Sequence, residues 1–268
     1  MPPWRSSVPV VVTVHDLGHM HFYTRLHAAY YGTVLKHLYR RCHSVICVSD
    51  YARREFLEWS GMPPERVFTV HNAVPHELFT QEGDFGLPYP YVFYPGNRRS
   101  YKNLDRLLSA YANSALPRAG IHMVLTGEAD SALRLKSRQA GIEGWVHFIG
   151  AVSDQDLARL YHGATLVAFV SLYEGFGLPI LEAMATGVPV LTSNAAAMPE
   201  VAGGAALLVD PTSTEEITAG LERLSFDADL RRELVRLGRI QAARFNWDRG
   251  ATQVWKIVAA AAGEPVEV

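Results

Sequence analysis

The chain has 268 residues, of which 49% are hydrophobic and 19% charged, and its formal net charge is −2. That balance belongs to an ordinary globular protein of one large domain or two small ones, and it excludes the positive field that a nucleic-acid partner selects. Cys42 and Cys47 are the only cysteines, too few for a disulfide framework. No apolar run approaches the ~20 residues that cross a bilayer, and the opening Met1-Pro-Pro-Trp-Arg-Ser-Ser lacks the apolar core of a signal peptide. The expectation is a cytoplasmic protein, with contact at the inner face of the cell membrane left open.

In chain order, Val8 to Val14 is a mostly β-branched run that reads as a buried strand, ended by His15-Asp16-Leu17-Gly18. Residues 25–42 suit a helix carrying Leu26, Tyr30, Leu35 and Leu38. Ser44 to Val48 is a second strand, Ser49-Asp50 caps a helix running to about Trp59, and Arg66 to Val70 is a third strand. Residues 76–90, with Gly83, Gly86, Pro88 and Pro90, read as a linker.

Beyond the linker the pattern is a regular alternation. Strands are expected at Tyr91–Tyr94, Ile121–Leu125, Val146–Ile149, Leu166–Val170, Val188–Leu191 and Ala206–Val209. Helices are expected at Asn103–Asn113, Ser131–Gln139, Asp154–His162, Leu178–Thr186, 214–225, 228–244 and, after Asn246 as N-cap, Trp247–Ala261. Six strands mostly separated by helices imply a doubly wound parallel sheet that binds ligands at the carboxyl ends of its strands. The domains expected are a partial amino-terminal lobe over residues 1–87, a complete doubly wound domain over 88–245, and a terminal helix over 246–268 packing back on the first lobe.

The segment richest in chemistry is Glu174-Gly-Phe-Gly-Leu-Pro-Ile-Leu-Glu182-Ala-Met-Ala-Thr-Gly187-Val-Pro-Val190. Gly175 and Gly177 permit tight turns and close approach of a ligand, and Pro179 suits the first turn of a helix. A helix start presents free N–H groups and a positive dipole end, which suits phosphate. Glu182, about a turn into that helix, and Glu174 on the loop before it place two carboxylates at the mouth of an anion site. That combination fits a ligand both phosphorylated and polyhydroxylated.

This string resembles the signature of glycosyltransferase family 4, retaining enzymes of the GT-B fold. The resemblance extends through Thr13-Val14-His15-Asp16-Leu17, Val48-Ser49, Asn72-Ala73-Val74, Tyr94-Pro-Gly96-Asn97-Arg98-Arg99-Ser-Tyr-Lys102-Asn103-Leu104, Leu125-Thr-Gly-Glu128, Phe148-Ile-Gly150 and Ala197-Met-Pro-Glu200-Val-Ala-Gly203, in the family's order. It implies an α/β fold of GT-B type, with one complete doubly wound domain and a partial Rossmann-like amino lobe. By the resemblance Arg98 and Lys102, on the loop with Gly96 and Asn97, neutralise a leaving diphosphate. Glu182 holds the ribose hydroxyls. Glu174 contacts the donor sugar with the Gly175, Phe176, Gly177 and Leu178 segment. Gly150 to Val152 borders the base, His15 sits across the cleft near the sugar and the acceptor as a catalytic residue with Arg98, Lys102 and Glu174, and Asp16 lies on the acceptor side. Many relatives have arginine where this chain has Asn97, so either Arg98 or Arg99 is the inward-facing cation.

The implied reaction moves a sugar, with a lean toward a GDP-mannose-like donor, onto an acceptor hydroxyl in polysaccharide or glycolipid synthesis. The anomeric configuration is kept, and a front-face route requires no protein nucleophile. No metal and no cofactor is expected. Asp154-Gln-Asp156 looks like a metal-binding D-x-D but reads better as a helix cap after Ser153, and His15, His19 and His21 lack a helix to fix them as ligands. The family usually opens with several more strand–helix units, so the expectation includes a truncated amino lobe. The alternative function is a non-catalytic or partner-dependent nucleotide-sugar-binding module, completed by a partner chain or an oligomer.

Overall fold

A computed structural model of the chain describes residues 2–22, 24–79, 83–128 and 130–264. The chain divides into two compact units. One comprises Met1–Ala73, Glu174–Phe176 and Phe245–Val268; the other comprises Val74–Tyr173 and Gly177–Arg244.

The first unit begins with β1 (Val11–Val14), three short helices, α1 (Gly18–Phe22), α2 (Arg25–Tyr30) and α3 (Lys36–Arg40), then β2 (Ser44–Cys47), α4 (Asp50–Ser60) and β3 (Val67–Thr69). The three strands are parallel in the order β1-β2-β3, with Val12 opposite Val45 and Ile46 opposite Phe68. The first strand starts three residues later than expected, beyond Pro9, which has no N–H to give a ladder. The helix expected over 25–42 ends at Arg40 and is widened by a π turn at Tyr31–Leu35. Gly32 sits in that turn, and Thr33 Oγ1 donates 2.7 Å back to the Ala29 carbonyl, both features that loosen a regular helix. The core of this unit gathers Val14, Leu17, Leu35, Val45, Cys47, Phe56 and Val67.

The second unit opens with α5 (His76–Phe79) and runs β4 (Tyr91–Tyr94), α6 (Leu104–Asn113), β5 (His122–Leu125), α7 (Ser131–Gln139), β6 (Val146–Phe148), α8 (Asp154–His162), β7 (Leu166–Phe169), α9 (Leu178–Thr186), β8 (Val190–Ser193), α10 (Met198–Ala202), β9 (Leu207–Val209), α11 (Thr214–Phe226) and α12 (Ala228–Ala242). The expected linker therefore begins with a helix. Phe79 is buried and sets its ring edge-on to Tyr161 of α8 at 5.7 Å, which moves the division between units to Ala73/Val74 from the expected 87/88. The part of that linker at 80–82 lies outside the described residues. The terminal α13 (Trp247–Ala262) starts where expected, with Asn246 Oδ1 accepting from the N–H groups of Asp248 and Arg249, and it packs on β1 and β2 within the first unit.

The six strands of the second unit are all parallel, in the order β6-β5-β4-β7-β8-β9. Chain order reverses between β4 and β7, where Val92 pairs with Leu166 and Phe93 with Val167. Loops leaving two such strands go to opposite faces and open a crevice at the carboxyl edge. Both strands are fully buried, as two covered faces require. Val190 rather than Val188 begins β8, because the Val188 N–H is held by the Ala183 carbonyl (2.9 Å) in the left-handed turn at Gly187 that ends α9. No helix among the described residues is long and apolar enough to cross a membrane.

Candidate active site

The crevice at β4 and β7 receives one loop from each strand. After β4, Gly96 has φ 152° and its N–H is held by Thr126 Oγ1 at 3.1 Å. Asn97 is exposed, and its side-chain oxygen accepts from the Arg99 N–H. Arg98 turns toward the loop after β5. Its Nη2 donates to the carbonyls of Thr126 (2.9 Å) and Glu128 (2.8 Å), and its guanidinium carbon lies 5.2 Å from the centre of the Phe148 ring. The remaining terminal nitrogen, Nη1, is buried with no hydrogen-bond partner among the described residues. Arg99 is exposed beside Tyr101, to whose hydroxyl it donates at 3.3 Å.

Lys102 closes a single 3-10 turn, Ser100–Lys102, and its Nζ stands 5.1 Å from the centre of the Phe169 ring, at the end of β7. Asn103 fixes this placement. It is a non-glycine residue in the left-handed region (φ 59°), buried, and its Nδ2 donates to the carbonyls of Val170 (3.0 Å) and Pro211 (2.7 Å), while its Oδ1 accepts from Arg106. Tyr101 adds its carbonyl as acceptor for the Leu172 N–H at 2.7 Å. The β4 loop is thus stitched to the end of β7. Asn103 was expected as the first helical residue; it is instead the tie that precedes α6, since asparagine tolerates the left-handed region and offers a side-chain amide.

After β7 the chain reaches Gly177, which caps α9 with φ 107°. A Cβ at Gly177 would sit 3.2 Å from Ile180 Cδ1 and 3.8 Å from Phe169 Cε1. One aromatic ring therefore borders both the Lys102 ammonium and the mouth of α9. The helix carries Pro179 in its first turn, and its amino end offers N–H groups and a positive dipole to an anion. Leu178 is exposed at this mouth. Glu182, one turn on, receives a 2.5 Å hydrogen bond on Oε2 from Tyr161 Oη of α8. Burial raises the Glu182 carboxyl above its ordinary range; the bond from Tyr161 opposes that shift and the nearby Asp154 adds to it. Gly150 (φ 80°) and Gly127 exchange backbone hydrogen bonds of 2.7 and 3.3 Å, which fixes the loop leading to the half-buried Val152.

The remaining expected residues lie in the first unit. His15 and Asp16 are exposed after β1, and Asp16 Oδ1 accepts from the Gly18 N–H at 2.8 Å, starting α1. Gly175 presses on this turn: a Cβ there would fall 1.9 Å from the His15 carbonyl oxygen and 2.8 Å from Asp16 Cβ. Ser49 Oγ donates to the Gly175 carbonyl at 2.6 Å. Phe176 is buried against Phe245 (5.7 Å) and His71 (6.1 Å), and Glu174 is half-buried. The structure therefore brings His15, Asp16 and Gly175 together in the first unit; in the second, Gly96, Arg98 and Gly150 meet at Thr126-Gly127, Lys102 and Gly177 share the Phe169 ring, and Glu182 is bonded to Tyr161.

Ser153 caps α8 as expected, accepting from the Asp156 N–H (3.1 Å) and donating to Asp156 Oδ2, while Asp156 Oδ1 holds Arg159. His21 is bonded to Glu55 at 2.5 Å. A cavity of about 590 Å³ lies beside the β4 loop, lined by Arg98, Arg99, Arg106, Lys136, Asp105 and Asp130 among others. Within it Lys136 pairs with Asp105, Asp130 caps α7, and the arginines bond to neutral oxygens: Arg98 to backbone carbonyls, Arg99 to the Tyr101 hydroxyl and Arg106 to Asn103 and Pro211. The bonds made by Tyr161 to Glu182, by Asn103 to Val170 and Pro211, and by Ser49 to Gly175 were not foreseen from the sequence. For Ser49 and Asn103 the residue type was a signal; for Tyr161 there was none.

The α/β fold is of GT-B type, and the chain matches family models along both of its parts. The family described as glycosyl transferases group 1 matches residues 77–241, and glycosyltransferase family 4 matches residues 1–78; the chain belongs to this family. Among curated relatives, the O-antigen chain mannosyltransferase B of Escherichia coli is 32% identical over 225 residues, covering 78% of this chain and 58% of that protein. The MMP alpha-(1->4)-mannosyltransferase of Mycolicibacterium hassiacum is 33% identical over 234 residues, covering 84% and 56%. The chain thus spans little more than half the length of these relatives. Among solved structures, Anabaena Alr3699/HepE in complex with UDP and glucose superposes with a TM-score of 0.81 at 20% identity, over 94% of this chain and 72% of that one. Sucrose-phosphate synthase from Thermosynechococcus elongatus gives 0.80 at 23%, over 93% and 67%.

Proposed function

We propose that this chain carries the donor-binding and transfer chemistry of a retaining glycosyltransferase that moves a hexose, mannose in the first instance, from a nucleoside diphosphate to a hydroxyl of a saccharide or lipid-linked acceptor. The observation that carries this reading is the shared border of the Phe169 ring with Lys102 and the α9 mouth, at the strand-order reversal. A diphosphate seated there meets a fixed cation and a helix dipole as negative charge grows on the leaving group. Arg98, through its buried Nη1, is the second cation, and Arg99 takes no part. Glu182 accepts from the ribose hydroxyls, and the Gly127–Gly150 bridge shapes the loop that borders the base. Glu174, with His15 and Asp16, serves the sugar and the acceptor. The reading calls for no metal and no protein nucleophile. The mannosyltransferase names of the similar proteins support the choice of sugar, and O-antigen synthesis in one of them supports an envelope polysaccharide as product.

The test is turnover of GDP-mannose, with UDP-glucose and other nucleoside diphosphate sugars as comparison donors and cell extract as acceptor source. K102A is expected to lower turnover about a hundred-fold or more, and NMR of the product to show a retained anomeric centre. No turnover with any donor, combined with nucleotide binding by calorimetry, selects the second reading, a partner-dependent binding module. That reading is favoured by the first unit's sheet, which has three strands among the described residues. Neither binding nor turnover overturns both.

A further inference from the structure

Tyr161 has no part in the resemblance that marks Glu182, yet it is the side chain Glu182 touches most closely. Its residue is fully buried, and its ring meets Phe93 at 5.0 Å and Phe79 at 5.7 Å, both edge-to-face. Two such contacts clamp the ring from β4 and α5, so the hydroxyl is fixed by packing. Phenylalanine would fill the same aromatic cluster. A hydroxyl buried at this depth is costly unless bonded, and its bond is the 2.5 Å donation to Glu182 Oε2. A phenol donating to a carboxylate makes a strong, directional, charge-assisted bond. It also removes the rotational freedom that a glutamate side chain otherwise loses only when ligand binds.

We propose that Tyr161 is the positioning residue for ribose recognition: it holds one oxygen of Glu182 so that the other faces the hydroxyl pair of a bound nucleoside diphosphate. The inference rests on the proposed role of Glu182. Tyr161 touches no substrate itself; its effect is on the discrimination between a ribose and a sugar ring lacking those hydroxyls. Asp154, at the start of the same helix, places a like charge near Glu182, and the phenol bond offsets that repulsion.

The experiment compares binding of GDP with 2′,3′-dideoxyGDP by calorimetry (UDP and its dideoxy form if they bind more tightly) in the wild type, Y161F, E182A and the double variant. The wild type is expected to prefer the ribonucleotide. Y161F is expected to lose about ten-fold in affinity for it, the weight of one hydrogen bond to a charged group, with the dideoxy form unchanged. Adding Y161F to E182A is expected to do nothing further, because the two act as one unit. F79L, which loosens the ring and keeps the hydroxyl, is expected to lower the same preference by a smaller factor, and it serves if Y161F fails to fold. Equal weakening of both nucleotides by Y161F, or an intact preference in Y161F and F79L, overturns the proposal while leaving Glu182's role standing. An intact preference in E182A removes Glu182's role and the proposal with it.

Discussion

Ser49 Oγ donates to the carbonyl of Gly175 at 2.6 Å, across 126 positions of sequence, while accepting from the Ala52 N–H at 2.9 Å. One hydroxyl thus caps α4 and tethers the segment Glu174–Phe176 to the first unit. S49A is expected to lose the cap, about 1 kcal/mol, and to leave the Gly175 carbonyl unsatisfied, about 1–3 kcal/mol more. Urea denaturation measures the sum, and S49T is expected to recover part of it.

Gly175 is glycine for close approach. A Cβ there would lie 1.9 Å from the His15 carbonyl oxygen, and a backbone atom cannot yield as a flexible side chain would. G175A is therefore expected to destabilise by roughly 1–3 kcal/mol or more, the range of overpacked sites, and to lower transfer activity by displacing Glu174. Wild-type thermal stability in G175A would refute this account of the packing.

Asn103 separates conformation from bonding. N103G keeps the left-handed backbone (φ 59°) and loses the bonds to Val170 and Pro211; N103D faces both carbonyls with an acceptor. The expected order of stability is wild type, then N103G, then N103D, with about 1–3 kcal/mol for each stranded polar group. Because Lys102 is the preceding residue, N103G is also expected to lower donor affinity. Chemical denaturation and nucleotide calorimetry check the two effects separately.

Glu182 titrates above the ordinary carboxylate range because burial disfavours its charge. The folded state then binds the proton more tightly than the unfolded state. Its stabilising contribution is complete below the unfolded value and is lost as pH rises through the folded one. E182Q lacks this dependence. The stability of E182Q relative to wild type is expected to rise with pH, starting from about pH 4 where an unfolded glutamate ionises. Urea midpoints of the pair across a pH series give the difference; a constant difference would exclude the raised titration.

Cys42 and Cys47 are buried free thiols, and burial raises both, Cys47 to about 12. The thiolate is the reactive species. Neither is expected to react with a disulfide reagent in the native protein, and both are expected to react in denaturant. Fast native labelling of Cys47 would show that β2 opens readily.

Much of the second unit was legible because its signals are local. Leu178–Thr186 is bounded by Gly177, Pro179 and Gly187, and Ser153 and Asn246 announce the helices they cap. The six-strand alternation implied a parallel sheet, and the sheet is parallel. The errors fall where distant packing overrides local pattern. His76–Phe79 reads as linker because four residues carry no periodicity, and it is helical because Phe79 finds Tyr161.

The sequence by itself determined the elements, the glycines and the identity of the chemical groups, since capping, periodicity and turn preference act over a few residues. Tertiary structure alone decided which groups meet. Tyr161 and Glu182 stand on different helices, Asn103 joins carbonyls 67 and 108 positions away, and Gly175 lies on His15. Such contacts depend on how the sheet and its helices pack, and a buried polar group accepts whichever partner that packing delivers.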